Sequence, residues 1–208
     1  MANEHSIVLA AETSKRFLME RKWDAGMLDY PILGMTIGQP QWFYGSPWAA
    51  AMIGADSIPG MLISQACTTS TTCIYQAAVG VETGLYQNVY ALMTDRCSNG
   101  PHTVWPNPQG PGGQVISENW LMDNFSRDPW AKGPMIQTAE NVGKETGITR
   151  EECDRVSLRR YEQYLDALAD DRAFQRGYLF AVEINAGKNK TIRVEKDEGS
   201  METTAAGL

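Results

Sequence analysis

Three short apolar runs in the first half of the chain, ILGMTIG at 32–38, MLIS at 61–64 and NVYALM at 88–93, are separated by segments whose apolar residues recur at helical spacing. A strand covered on both faces reads as a continuous apolar run, because no position along it looks at water. Runs of this kind alternating with helices indicate a parallel sheet with helices on both faces. The expected fold class is α/β.

Each intervening segment carries its own boundary chemistry. Residues 6 to 22 place Ile7, Ala11, Ser14 and Leu18 on one stripe with charges opposite. After the turn-rich QPQWFYGS, Ser46 and Pro47 suit the N-cap and first helical position of PWAAAMIGA. From about Ser70 to Gly84, Ile74, Ala77, Ala78 and Val81 repeat as one helical face, with Gly84 as C-terminal cap. At WPNPQGPGG, residues 105 to 113, Pro and Gly are too frequent for a regular element. A module boundary is expected there, dividing an α/β half at 1–104 from a mostly helical second module at 105–208. The second module opens on the aromatic and acidic ENWLMDNFSRDPW and continues into two helices. The later helix starts with Thr149 and Glu152 in capping-box spacing and lines Cys153, Val156, Tyr161, Tyr164, Leu165 and Leu168 along one face.

With 208 residues and 43% hydrophobic content, the chain can build one substantial core, alone or with a smaller appended module. Its net charge of -7 has the wrong sign for a phosphate backbone or an anionic bilayer, so neither nucleic acid nor a membrane is the expected partner. No uncharged run approaches bilayer length, and the early run Ile7 to Ala11 is too short for a signal-peptide core, so the expected location is cytoplasmic. Four cysteines at 67, 73, 97 and 153 form no Cys-x-x-Cys pair, which points to reduced thiols and to no metal site.

Cys67 stands between the MLIS run and the helix that follows, among the small residues Ala66, Thr68, Thr69 and Ser70. In a strand, turn, helix arrangement this position meets the free N–H groups and the positive end of the helix dipole, which favour a thiolate. Small neighbours let an acyl group or a slim thioester arm approach the sulfur. The alternative reading is a buried cysteine acting as a small hydrophobe, and Cys73 and Cys153 share it. Cys97 follows the third strand, at the edge where α/β sheets open their functional crevice. A nucleophilic thiolate also needs a base. The chain has two histidines: His5, expected to fray near the end, and His102, in a loop after the third strand that can face the same edge as Cys67 or simply stand in solvent.

Three collinear blocks, ISQACTTSTTCIYQAA, YALMTDRCSNGP and MIQTAENVGKETGITREECD, resemble the thiolase family of acyl-CoA acyltransferases in order and spacing. The first resembles the family's nucleophile block, the second its double-glycine block ending in Met-Ser-Asn-x-Pro, and the third the Thr-Ala-Glu-Asn run and capped helix of its loop domain. The resemblance implies a thiolase-like N-terminal half with an inserted, mostly helical loop domain. It makes Cys67 the catalytic residue, with Thr69, Ser70, His102 and Met135 about the coenzyme A thioester, which is substrate rather than cofactor. The implied partners are an acyl-CoA, a second copy in a homodimer or a complementing C-terminal half, and, in some relatives, a small zinc-containing OB-fold protein.

Departures from the family pattern are specific. Thr68, Thr69 and Ser70 replace a small residue, Ser and Gly after the cysteine; Leu92 and Met93 replace the double glycine, with the acidic position kept as Asp95. Ile136 stands for a glycine ahead of Thr138, and Pro134 for a frequent histidine. Thiolases are about twice this length, and their second half carries the activating histidine and a second cysteine, so only the acyl-holding part of the chemistry is expected within these 208 residues. The implied function is acyl transfer from acyl-CoA or 3-oxoacyl-CoA through an acyl-cysteine; the alternative is a non-catalytic remnant that binds acyl-CoA or a thiolase-like partner.

Overall fold

The computed structural model describes residues 4–98, 100–187 and 190–208. Helix α1 (Ser6–Arg21) leads into strand β1 (Tyr30–Gly34), helix α2 (Gly45–Ile53), strand β2 (Met61–Ile63), helix α3 (Thr69–Glu82) and strand β3 (Val89–Met93). The three strands form a parallel sheet in the order β2-β1-β3, with Leu33 aligned to Leu62 on one side and to Leu92 on the other. All three apolar runs therefore became strands of one sheet, and the α/β expectation holds.

Strand alternation sends Leu33 and Gly34 to opposite faces, and their neighbours identify what covers each. Leu33 packs with Ile7 of α1, Ala49 of α2 and Met35. A Cβ at Gly34 would instead meet Cys73 and Thr69 of α3. Helices α1 and α2 thus cover one face and α3 the other, as expected. Ile7 is 0% and Leu33 1% exposed, and burying side chains of this size contributes roughly 1.5–3 kcal/mol each. The stripe read from the sequence on α1 is the buried one, with Ser6 added to Ile7, Ala11, Ser14 and Leu18.

Three local expectations fail, each for a packing reason. Ser46 does not cap α2, which starts at Gly45, two residues before the expected Pro47; its hydroxyl is buried and donates to the Pro31 carbonyl at 3.2 Å. His5 is not frayed, because its Nε2 lies 2.8 Å from the Pro40 carbonyl oxygen and its ring meets Trp48 edge-on at 5.1 Å. On α3 the buried residues are Thr69, Cys73 and Gly80, while Ile74, Ala78 and Val81 of the expected face are exposed. The small residues win the sheet side since α3 lies so close to β1 that only a glycine at 34 and a thiol at 73 fit between them.

After β3 the chain makes an antiparallel pair, β4 (His102–Pro106) with β5 (Val115–Asn119), and a short helix α4 (Met122–Ser126). The boundary expected between 104 and 105 falls inside β4. Contacts divide the chain instead into Met1–Asn124 with Ile184–Asn189, and Phe125–Glu183 with Lys190–Leu208. The reason is the hairpin itself: β4 and β5 pair across the Pro/Gly stretch, and Trp120 beyond them donates its Nε1–H to the Thr36 carbonyl at 3.2 Å. The second unit holds α5 (Met135–Thr146), α6 (Arg150–Ala167) and α7 (Ala169–Arg176). Thr149 and Glu152 close the expected capping box on α6. Strands β6 (Val182–Asn185) and β7 (Thr191–Val194) follow. No helix among the described residues is long and apolar enough to cross a membrane.

Candidate functional site

In a parallel sheet the carboxyl ends of adjacent strands, where connections leave to opposite faces, open a crevice. Here β1 feeds α2 toward β2, and β2 feeds α3 back across to β3. The residues just past the three strand ends converge at that point: Thr36 and Ile37 after β1, Gln65 to Cys67 after β2, and Asp95 after β3.

Cys67 occupies a single 3-10 turn, Ala66–Thr68, directly ahead of α3. Its side chain is exposed, while Cys73, six residues on, is completely buried. Cys67 therefore stands in an exposed turn at the start of a helix. For Cys73 the small-hydrophobe reading holds: burial pushes its thiol pKa up, against a smaller lowering by a backbone hydrogen bond. Cys97 and Cys153 are exposed. No group of three or more His, Cys, Asp or Glu among the described residues is arranged to hold a metal.

Hydroxyls close the turn around Cys67. Thr69 donates to the Ala66 carbonyl at 2.8 Å and accepts the Gln65 N–H at 2.8 Å. Thr68 donates to the Gln65 carbonyl at 2.9 Å, and Thr72 bonds the Gln65 side chain. Thr36 reaches over from β1, donating to the Ala66 carbonyl at 3.2 Å and sharing a 3.0 Å hydrogen bond with the Thr69 hydroxyl. Ala66 itself has φ +47°, a left-handed conformation that costs an L-residue about 1 kcal/mol or more. Asp95 accepts the N–H of Thr36 at 3.0 Å and 3.1 Å and of Ile37 at 2.7 Å, tying the end of β3 to the end of β1.

The remaining expected site residues are placed as follows. Thr69 is buried with its hydroxyl engaged in the turn, so in this conformation it serves the turn. Ser70 is exposed at the start of α3. His102 is exposed at the first position of β4, a strand residue rather than a loop residue. Among the described residues neither histidine hydrogen-bonds Cys67, and His5 is occupied at the Pro40 carbonyl. Met135 is the exposed first residue of α5, in the second unit. Thr36 and Trp120 are not marked by the sequence reading; the available signal for Thr36 is a hydroxyl residue near the carboxyl end of the apolar run 32–38, where such sheets place functional groups.

The family model for the thiolase N-terminal domain matches residues 1–208. The chain belongs to the thiolase family. The thiolase relatives by sequence are the acetyl-CoA acetyltransferase of Pseudomonas aeruginosa, 24% identical over 91% of this chain and 48% of that protein, and that of Escherichia coli, 26% identical over 76% and 41%. A probable acetyl-CoA acyltransferase of Staphylococcus aureus is 26% identical over 95% of this chain and 50% of its own length. The chain spans about half the length of these curated thiolase relatives. Among solved structures, the Bacillus anthracis acetyl-CoA acetyltransferase superposes with a TM-score of 0.84 at 24% identity, covering 99% of this chain and 52% of that one. Human mitochondrial 3-ketoacyl-CoA thiolase gives 0.81 at 21% identity, with 99% and 52% covered. These likenesses establish the thiolase fold of the N-terminal half.

Proposed function

We propose that the chain carries the acyl-holding half of a thiolase-type acyltransferase, with Cys67 as the nucleophile. The observation that carries this reading is the exposed cysteine in a strained, hydroxyl-braced turn at the crevice end of a parallel sheet. In the degradative direction the Cys67 thiolate adds to the 3-keto carbon of a 3-oxoacyl-CoA. The bond between carbons 2 and 3 then breaks, its electron pair leaves on the acetyl-CoA carbanion, which takes a proton, and an acyl-Cys67 thioester remains. The thiolate of free coenzyme A attacks that thioester and returns the cysteine.

Both proton transfers need a base and an acid at the reacting carbon. In this proposal they come from a C-terminal half, on the same polypeptide or on a complementing chain, since His5 is committed to Pro40 and His102 makes no bond to Cys67 among the described residues. The substrate class is a coenzyme A thioester, consistent with the names of the relatives and with a coenzyme A complex among the similar structures.

The test is peptide-resolved mass spectrometry after incubation with acetyl-CoA or acetoacetyl-CoA. An acyl adduct on Cys67 that disappears in Cys67→Ser is expected; adducts confined to Cys97 or Cys153 overturn the assignment. A second reading, binding without turnover, rests on the bulkier Ser70, Leu92 and Met93 at positions where the family carries glycine. Tight acyl-CoA binding with no acyl-enzyme would select it.

A further inference from the structure

We infer that Thr36 is the positioning residue of the Cys67 turn, held in place by Asp95. The inference rests on the reading of Cys67 as the acyl-carrying nucleophile and extends it to residues just past the ends of β1 and β3. Its starting point is the backbone of Ala66. A non-glycine residue persists at φ +47° only when its surroundings over-determine it. The Ala66 carbonyl is that anchor point, because two hydroxyls reach it, Thr69 from α3 at 2.8 Å and Thr36 from β1 at 3.2 Å.

The two hydroxyls are not equivalent. Thr69 lies three residues from Ala66, as the first residue of α3, so its bond is local to the turn. Thr36 is thirty residues away, two residues past the end of the central strand β1, so its hydroxyl refers the turn to the sheet. Thr69 spends its single proton on Ala66 and accepts from Gln65 N–H, so the single Thr36 proton is shared in a three-centre bond between the Ala66 carbonyl at 3.2 Å and the Thr69 oxygen at 3.0 Å. Thr36 in turn is fixed from the other side. Its N–H and that of Ile37 converge on the Asp95 carboxylate, and its carbonyl accepts the Trp120 indole N–H. Charge-assisted bonds to a carboxylate are the stronger kind, so Asp95 clamps the β1 exit on which the Thr36 hydroxyl stands. The bridge runs from the end of β3 through the end of β1 to the residue preceding the nucleophile.

A turn held in this way presents the sulfur in one direction, which matters for a bulky thioester that must meet the nucleophile along a narrow approach. It matters little for a small alkylating agent that attacks from any open side. Thr36→Val keeps the shape and removes the hydroxyl; Thr36→Ser keeps the hydroxyl and removes the methyl. Acylation of Cys67 by acetyl-CoA is expected to slow about fivefold in Thr36→Val and to recover in Thr36→Ser. Iodoacetamide alkylation of Cys67 is expected to stay at the parent value in both, and the melting temperature to fall by no more than about 2–4 °C in Thr36→Val. Hydrogen exchange gives a readout that does not need acylation. The Gln65 and Thr68 amides, bonded within the turn, are expected to exchange several-fold faster in Thr36→Val and at the parent rate in Thr36→Ser. Unchanged exchange at these two amides in Thr36→Val overturns the positioning role whatever the acylation shows. Equal losses of acylation and alkylation also overturn it, because they signify altered exposure. A parent protein that never acylates at Cys67, with exchange still accelerated in Thr36→Val, sinks the proposed function and leaves the clamp standing.

Discussion

Gly34→Ala tests whether the close approach of α3 to the central strand is real and tight. An alanine Cβ at this position would sit 2.6 Å from Cys73 Sγ, 3.0 Å from Met93 Cγ and 3.1 Å from Thr69 Cγ2. Ordinary contacts between carbon-sized atoms lie near about 3.5–4.0 Å, so the sulfur overlaps by roughly 1 Å. Cys73 is 0% exposed and has no solvent side to turn to. Overpacking of this kind costs about 1–3 kcal/mol. Replacing a glycine whose backbone is ordinary extended strand recovers roughly 0.5–1 kcal/mol by restricting the unfolded chain. The net expectation is a loss of about 1–2 kcal/mol, seen as a melting temperature lower by about 3–6 °C in a chain of this size. The pair Gly34→Ala with Cys73→Ala separates the clash from other causes. Removing Sγ takes away the overlapping atom, so the double variant should be more stable than the sum of the two single losses predicts, by about 1 kcal/mol. Chemical denaturation of the four proteins reads this directly. A Gly34→Ala protein as stable as the parent, or losses that simply add, would refute the packing argument.

Leu33→Ala, at the centre of the α1/α2 face, should cost about 2–5 kcal/mol in the same denaturation assay. Thr149→Ala removes the hydroxyl that accepts the Glu152 N–H at 3.3 Å in the α6 capping box; a loss of about 1 kcal/mol, visible as faster exchange of the first-turn amides of α6, is expected. Cys73 and Tyr30 are acids whose pKa values are raised, from 9.0 and 10.0 respectively, in both cases first by burial and for Tyr30 also by the neighbouring Tyr86. A raised pKa means the folded state holds the proton more tightly, so this stability is complete below about pH 9 and falls as pH rises through the folded-state values. Denaturation midpoints should drop above that pH, less steeply in Cys73→Ala; a flat profile would count against buried, neutral groups. Peptide mapping after brief alkylation at neutral pH should label Cys67, Cys97 and Cys153 and spare Cys73 until the protein is unfolded.

The site was legible where its chemistry is local. Cys67 could be read as standing between a strand and a helix because both neighbours announce themselves by composition within a dozen residues. In the sequence Asp95 shows only as a kept acidic position. Its task, accepting two N–H groups from β1 across 58 and 59 residues, has no trace in local spacing. The α3 face shows the opposite error. Periodicity in Ile74, Ala77, Ala78 and Val81 correctly announces a helix, whereas the face the sheet accepts is that of Thr69, Cys73 and Gly80. Ile74 is 59% exposed while Cys73 beside it is sealed. The hairpin β4–β5 was misread for a similar reason, since proline and glycine mark where a chain turns but not which strands meet across the turn.

What the sequence alone determined is therefore one-dimensional: which segments of residues 6–93 are strands and helices, where α1 hides its apolar stripe, and the order of residues that marks a thiolase N-terminal domain. Periodicity and composition are properties of neighbours along the chain, and they survive without knowledge of the fold. The tertiary structure decided which helix face wins the sheet, how far the first unit extends, and that Thr36 and Asp95 brace the turn before Cys67. Those outcomes depend on distances between segments tens of residues apart, where steric fit and hydrogen-bond geometry, rather than hydrophobicity, choose among alternatives.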